Sequence, residues 1–222
     1  MPAPVKTRRY DATTRRAQAE SRREAILAAA RDLMLRDGYA ATTIGSIATA
    51  AAVSAETIYK AFAGKPGLVR ALYQQALEGA GREPAEQRSN RLRETATGHE
   101  LVAGWAELAR EVAPHVAPLA ILLRDAAVLD PGARSLVEEM EHARLLRMRN
   151  NARALRATGD VRPGLSQRDI ADTLYAVSSS EMFELLVMRR GWSSKRFARF
   201  QRQAIGALLI PHNSSSEPGQ QP

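Results

Sequence analysis

Apolar residues recur at three- and four-residue intervals along most of this chain, the spacing of helices with one buried face. Ile26, Ala29, Ala30, Leu33 and Met34 form the first such face and predict a helix from about Thr14 to Asp37, stopped by Gly38. Residues 1–13, which mix proline, threonine and basic side chains, read as a flexible basic arm. Thr42 or Thr43 caps a second helix whose apolar stripe is Ile44, Ile47, Ala48 and Ala51. Ser54 caps a third, ending near Phe62, with Val53, Ile58 and Phe62 turned inward. A fourth begins around Gly64-Lys65-Pro66, where proline is tolerated in a first turn, and reaches about Ala80.

Beyond Ala80 the pattern weakens. Residues 81–97 are polar and irregular, and read as a loop or frayed helix at a domain seam. Helices follow at about 98–112 and 116–128, separated by Pro114. Asp130-Pro131 opens a long helix to about Thr158, and residues 159–164 form a turn. Ser166 to Asp169 has capping-box form and starts a helix to about Arg190; after Gly191, Ser193 starts the last, to Leu209. The pattern predicts an all-α chain of about nine helices, a three-helix head followed by a helical bundle. The expected divisions are an arm at 1–13, the head at 14–63, a linker helix and bundle at 64–210, and a disordered Ser/Gly/Gln/Pro-rich tail at 211–222.

Composition agrees with this and narrows the chemistry. Hydrophobic residues make up 45% and aromatics only 5%, which favours helices over sheet. With no cysteine, disulfides, thiolate metal sites and cysteine nucleophiles are excluded. The four histidines lack metal-ligand spacing, and Glu138, Glu139, Glu141 and His142 read as a solvated helix surface. No cofactor or metal is expected. No apolar run approaches the ~20 residues needed to span a bilayer, and no secretory signal is recognisable, so a cytoplasmic protein without membrane association is expected. The excess of positive charge is local: residues 1–75 hold 12 Lys/Arg against 6 Asp/Glu, and the remainder 20 against 18. A basic head suits a polyanion.

The two short helices on either side of Ala52-Val53-Ser54 have the layout of a helix-turn-helix, whose second helix enters the major groove of DNA. The positions of the third helix left free by its apolar residues are Ala55, Glu56, Thr57, Tyr59 and Lys60, which with Ser54 offer hydroxyl, phenol and ammonium groups to phosphates and base edges. Lys65 opposes the dipole at the start of the fourth helix, yet stands beside free backbone N–H groups, a combination suited to phosphate. Arg8 and Arg9 in the arm could follow the minor groove.

Thr43-Ile44, Ile47-Ala48, Ala51, Val53-Ser54, Thr57-Ile58-Tyr59, Phe62, Lys65 and Leu68 together resemble the TetR/AcrR family of one-component transcriptional regulators. The resemblance implies nine helices, the last six forming a dimerising, ligand-binding bundle. It implies phosphate contacts by Thr43, Tyr59 and Lys65, and base or backbone contacts from Ser54 to Lys60. It also implies a homodimer paired through the last two helices, residues 166–190 and 193–210, and an effector pocket between the long helices. Candidates for that pocket are Trp105, Leu122, His142, Leu146, Tyr175, Ser179 and Met182, with Tyr175, Ser179 and Met182 expected on one helix face. Two departures stand out. Ala52 occupies the turn position where the family has glycine in a left-handed conformation, and Ser46 replaces the acidic partner of the capping box, which should weaken a short helix that already contains Gly45.

The function expected is a ligand-responsive repressor, bound as a dimer to a palindromic operator and released by a small molecule. A helix-turn-helix interaction module, or a bundle enzyme without a recognisable motif, are the alternatives. If the arm reaches DNA, deleting residues 1–13 will weaken binding and flatten the dependence of log K on log salt. Binding titrations over a salt series check this, and an unchanged slope would exclude the arm.

Overall fold

The computed structural model describes residues 8–79 and 83–211, with the side chains of residues 8–13 and 95 left out. The chain divides into two compact units between Leu72 and Tyr73, within one helix.

In the first unit, α1 (Arg8–Asp37) begins earlier than the pattern predicts. The expected arm is thus helical in backbone from Arg8, and residues 1–7 lie outside the described part. Its buried face carries Ile26, Leu27, Ala30 and Met34. Gly38 ends it at φ +88°, its N–H bonded to the Met34 carbonyl. Two short helices follow, α2 (Ile44–Ala50) and α3 (Ala55–Phe62), then the start of α4 (Lys65–Glu78). Ile47, Ala48, Ile58, Phe62, Leu68 and Leu72 close the core over α1. At about 1.5–3 kcal/mol per fully buried large apolar side chain, these residues hold the short helices in place.

The second unit contains α5 (Ala85–Thr95), α6 (Gly98–Ala126), α7 (Pro131–Ala157), α8 (Gln167–Val177), α9 (Ser180–Phe183) and α10 (Ser194–Leu209). Counting α8 and α9 as two pieces of one broken helix gives nine among the described residues. Of residues 81–97, expected as a loop or frayed helix, 85–95 form the helix α5. It has few apolar residues, so the periodicity missed it. Arg88 holds it to α6 through two hydrogen bonds to the Glu111 carboxylate, at 2.9 and 2.6 Å. Leu92 sits where Gly104 has no side chain, since a Cβ there would lie 2.5 Å from a Leu92 methyl.

The break expected at Pro114 is also absent, because α6 runs through both Pro114 and Pro118. Proline inside a helix costs about 3 kcal/mol. Here the apolar face continues past it, with Val116, Ala117, Leu119, Ile121 and Leu123 all buried. Packing outweighs the lost hydrogen bonds.

Among the described residues the bundle shows two cores. The larger gathers Leu101, Val102 and Trp105 of α6, Met148, Ala152 and Leu155 of α7, and residues of α8 and α10. The smaller centres on Ala117, Phe183 and Phe197, whose two rings meet edge to face at 5.2 Å. Between α8 and α9 the helix breaks at Ser178-Ser179: Ser179 is extended (ψ 155°) and caps α9 through the Met182 N–H. Beyond α9, residues Glu184–Arg189 continue in the wider π-helical pattern. Asp130, Ser166 and Ser193 cap α7, α8 and α10 as the sequence predicts.

The turn before α3 holds Ala52 at φ +52°. A Cβ in the left-handed region costs about 1–2 kcal/mol, while glycine gives back up to about 1 kcal/mol in backbone entropy. Ala52→Gly should therefore raise Tm by about 1–3 °C without changing the preferred DNA sequence. Thermal unfolding followed by circular dichroism checks this, and a lower Tm would show that the turn is unstrained.

Candidate DNA-binding surface and effector region

Both helices of the helix-turn-helix are fixed at their N-termini by hydroxyls. The Thr43 Oγ1 accepts from the Ser46 N–H at 3.0 Å, and the Thr43 N–H donates back to Ser46 Oγ at 3.2 Å. Serine thus completes the capping box, which corrects the expectation that Ser46 weakens this end. Ser54 Oγ accepts from the Thr57 N–H at 3.2 Å and lies 2.9 Å from the Thr57 hydroxyl. Ile58 and Phe62 are buried beneath α3, so its opposite face is fixed toward solvent. There Ala55, Glu56, Tyr59 and Lys60 are exposed, with Thr57 half-buried beside them. Tyr59 is 56% exposed, its phenol available to a partner. Lys60 pairs with Glu56 at 2.7 Å across one turn. Such an exposed pair is worth little and gives way readily to a phosphate.

The far end of α3 carries features that motif spacing does not reveal. Ala63 is its C-cap at φ +57°, a second alanine in the left-handed region, and Gly64 follows at φ +110°. Lys65 then donates from Nζ to the Tyr39 carbonyl at 2.7 Å, 4.3 Å from the centre of the Tyr39 ring. The ammonium ties the start of α4 to the loop after α1, which the sequence reading did not foresee. It keeps further N–H donors, so this tie and a phosphate contact are compatible. Gly67 admits no side chain, since a Cβ would stand 1.6 Å from the Phe62 carbonyl oxygen. Behind α3, the Arg23 guanidinium lies 4.7 Å from the Phe62 ring centre. Arg8 and Arg9 are on α1 in backbone, and their side chains lie outside the described residues.

The effector candidates are not brought together. Trp105 is buried in the larger core and Met182 packs against the smaller one. Leu122 is half-buried, whereas His142 and Leu146 are exposed on α7. Tyr175 is held at the rim of the larger core: its hydroxyl donates to Glu141, and the Arg144 guanidinium lies 3.9 Å from its ring centre. The hydrogen bond to Glu141, then burial, pushes its pKa above the ordinary phenol value. Ser179 is occupied as the α9 cap, and the break before it means that Tyr175, Ser179 and Met182 do not share one continuous helix face. An open groove of about 460 Å³ lies elsewhere, between the start of α6 and α10, lined by His99, Val102, Ala103, Arg202, Gly206 and Ile210 among others.

Two residues that the sequence reading passed over are more telling. Asn151 on α7 and Gln201 on α10 are 5% and 2% exposed. The Asn151 Oδ1, the Gln201 Oε1 and the Trp105 Nε1 are all buried without a hydrogen-bond partner in the protein. Each such atom costs about 1–3 kcal/mol when left unpaired. Polar residues at core-facing helical positions were the available signal.

Residues 26–72 match the family model described as bacterial regulatory proteins of the tetR family. No curated protein matches the chain. Among solved structures, SmeT in its triclosan complex aligns over 91% of this chain and 99% of its own, at 20% identity and a TM-score of 0.69. NalD, the secondary repressor of the MexAB-OprM multidrug efflux pump in Pseudomonas aeruginosa, aligns over 88% and 99% at 21% identity, with a TM-score of 0.67. A protein described as a transcriptional regulator from Saccharomonospora viridis, in complex with choline, aligns over 87% and 99% at 20% identity and a TM-score of 0.65. These likenesses show the fold over most of the chain, and the matched segment contains the helix-turn-helix just described. Residues 26–72 are thus similar to the tetR family of bacterial regulatory proteins, and the chain shares the fold of these solved neighbours.

Proposed function

We propose that the protein is an effector-responsive repressor that binds a palindromic operator as a homodimer, in the cytoplasm. The observation that carries this reading is the solvent face of α3, where Thr57, Tyr59 and Lys60 stand together on a helix capped by Ser54. Ala55 and Glu56 in the first turn complete the surface offered to bases, while Thr43 and Lys65 flank it as phosphate contacts. Arg8 and Arg9 extend it along the minor groove.

Two half-sites require two such helices. Leu185, Met188 and Leu208 support pairing through the last helices, since each is 50% exposed there. Exposed apolar side chains favour a second copy over solvent. Effector binding in the bundle would favour a state whose recognition helices no longer fit the half-site spacing. The fourth helix, with residues in both units, is the element through which that change would pass. No described helix is long and apolar enough to cross a membrane. The neighbours' ligands, triclosan for one and choline for another, set a precedent for small-molecule control without identifying the molecule sensed here.

In gel shifts on the DNA upstream of its own coding sequence, Tyr59→Phe should weaken binding about fivefold, the loss of one hydrogen bond. Lys65→Ala should lower the salt slope by about 1 and, by freeing the Tyr39 carbonyl, also lower Tm. Wild-type protein that shows no preference for this DNA over a scrambled sequence would refute the operator reading. In sedimentation, Leu208→Glu should shift the protein from dimer to monomer. An unchanged dimer would place the interface elsewhere.

A further inference from the structure

Four polar side chains among the described residues are buried, and all are neutral: Thr42, Ser89, Asn151 and Gln201. The last two belong to the walls of the larger bundle core. Asn151 sits on α7 between Met148 and Leu155, both members of that core. Gln201 lies one turn before Ile205 and donates from Nε2 to the Val177 carbonyl at 3.2 Å, two further members. Trp105 is itself part of the core. These three residues leave one buried donor, the indole Nε1, and two buried acceptors, Asn151 Oδ1 and Gln201 Oε1, unmatched by the protein. No charged side chain is counted among the buried residues of this core. At its rim, beside Tyr175, Arg144 is paired with Glu141 at 3.5 Å and bound to the Tyr175 carbonyl.

We infer that this core is the polar anchor for the effector, and that the effector is an uncharged molecule with an apolar body and a group that both donates and accepts hydrogen bonds, such as an amide or hydroxyl. The inference rests on the effector-responsive reading above and gives that reading a ligand class. A neutral group of this kind can accept from the indole N–H or donate to an amide oxygen, while its apolar body is matched by the leucine, isoleucine and valine side chains of the core. A carboxylate would face the two carbonyl-type oxygens with no cation, and an ammonium would lie among apolar groups with no acid. Either would be a buried, unpaired charge. Sites built to hydrogen-bond a ligand group discriminate strongly against analogues that leave their polar atoms unmatched.

Trp105 makes the test direct. It and Trp192 are the only tryptophans. Trp192 lies outside this core, beneath the Arg196 guanidinium and against Phe200. In full-length Trp192→Phe protein, fluorescence therefore reports on Trp105 alone. Titration with octanamide should shift Trp105 emission saturably, while octanoate and octylammonium bind at least about tenfold more weakly. Asn151→Leu should reduce octanamide affinity about tenfold with Tm unchanged or raised, because it removes an unmatched buried acceptor. Gln201→Met provides a second variant should Asn151→Leu fail to fold.

No saturable response to octanamide would overturn the proposal. So would equal responses to all three probes, or unchanged octanamide affinity in both variants, which would mean that the amides meet ordered water only. Labelled operator DNA in the same titration separates the two claims. Octanamide that binds without altering DNA affinity supports the anchor and contradicts effector control, whereas DNA release without any change in Trp105 supports control and contradicts the anchor.

Discussion

An isolated helix of eight residues is unstable in water, because nucleation costs more than so few hydrogen bonds return. The helix α3, which carries the proposed reading surface, has that length. Its existence and its direction therefore depend on what is attached to its two ends and to its underside. Ser54 supplies the N-cap, and Ile58 and Phe62 anchor the buried face. The chain enters through Ala52 and leaves through Ala63, both at positive φ. Beyond the exit, Lys65 reaches back to the Tyr39 carbonyl and Gly67 lets the chain pass against the Phe62 carbonyl. Strain at two alanines is tolerated because the surrounding contacts over-determine the corner. The exposed face is held in one orientation as a result, and a reading surface needs that property.

Much of this head was legible in the sequence because its signals are local. A hydroxyl before an apolar turn marks a cap, and a glycine-type position in a tight corner marks a left-handed residue; Thr43, Ser54 and Ala52 all behave accordingly. The tie from Lys65 to Tyr39 links residues 26 apart and leaves no periodic trace. The reading of Ser46 failed for a different reason: an acid was taken as necessary where a hydroxyl also reaches the backbone N–H.

In the bundle the errors follow from the same limit. Pro114 has a strong local preference against helix, and the buried face of α6 overrides it. α5 lacks an apolar stripe and is held by an ion pair to Glu111, a residue 23 positions away. The break at Ser178-Ser179 was hidden inside an otherwise regular apolar pattern. These three features explain why the fold class could be read while the effector residues could not. Residue type and, for Tyr175, Ser179 and Met182, helical spacing point to the candidates, yet His142 and Leu146 face solvent and Ser179 serves as a cap. The unmatched amides of Asn151 and Gln201 become visible only when burial and hydrogen bonding are known together.

On the proposed reading, the head and the bundle suit two different kinds of partner. Exposed hydroxyl, phenol and ammonium groups on a rigid helix suit a polyanion with readable edges, and a neutral core with unmatched hydrogen-bonding atoms suits a small uncharged molecule. The claim on which everything else depends is that the α3 face recognises a particular DNA sequence. Competition anisotropy with labelled upstream DNA, challenged by unlabelled specific and random duplexes of equal length, tests it most directly. The account predicts a preference for the specific duplex of at least about 10³-fold at physiological salt. Equal competition by the random duplex would contradict it.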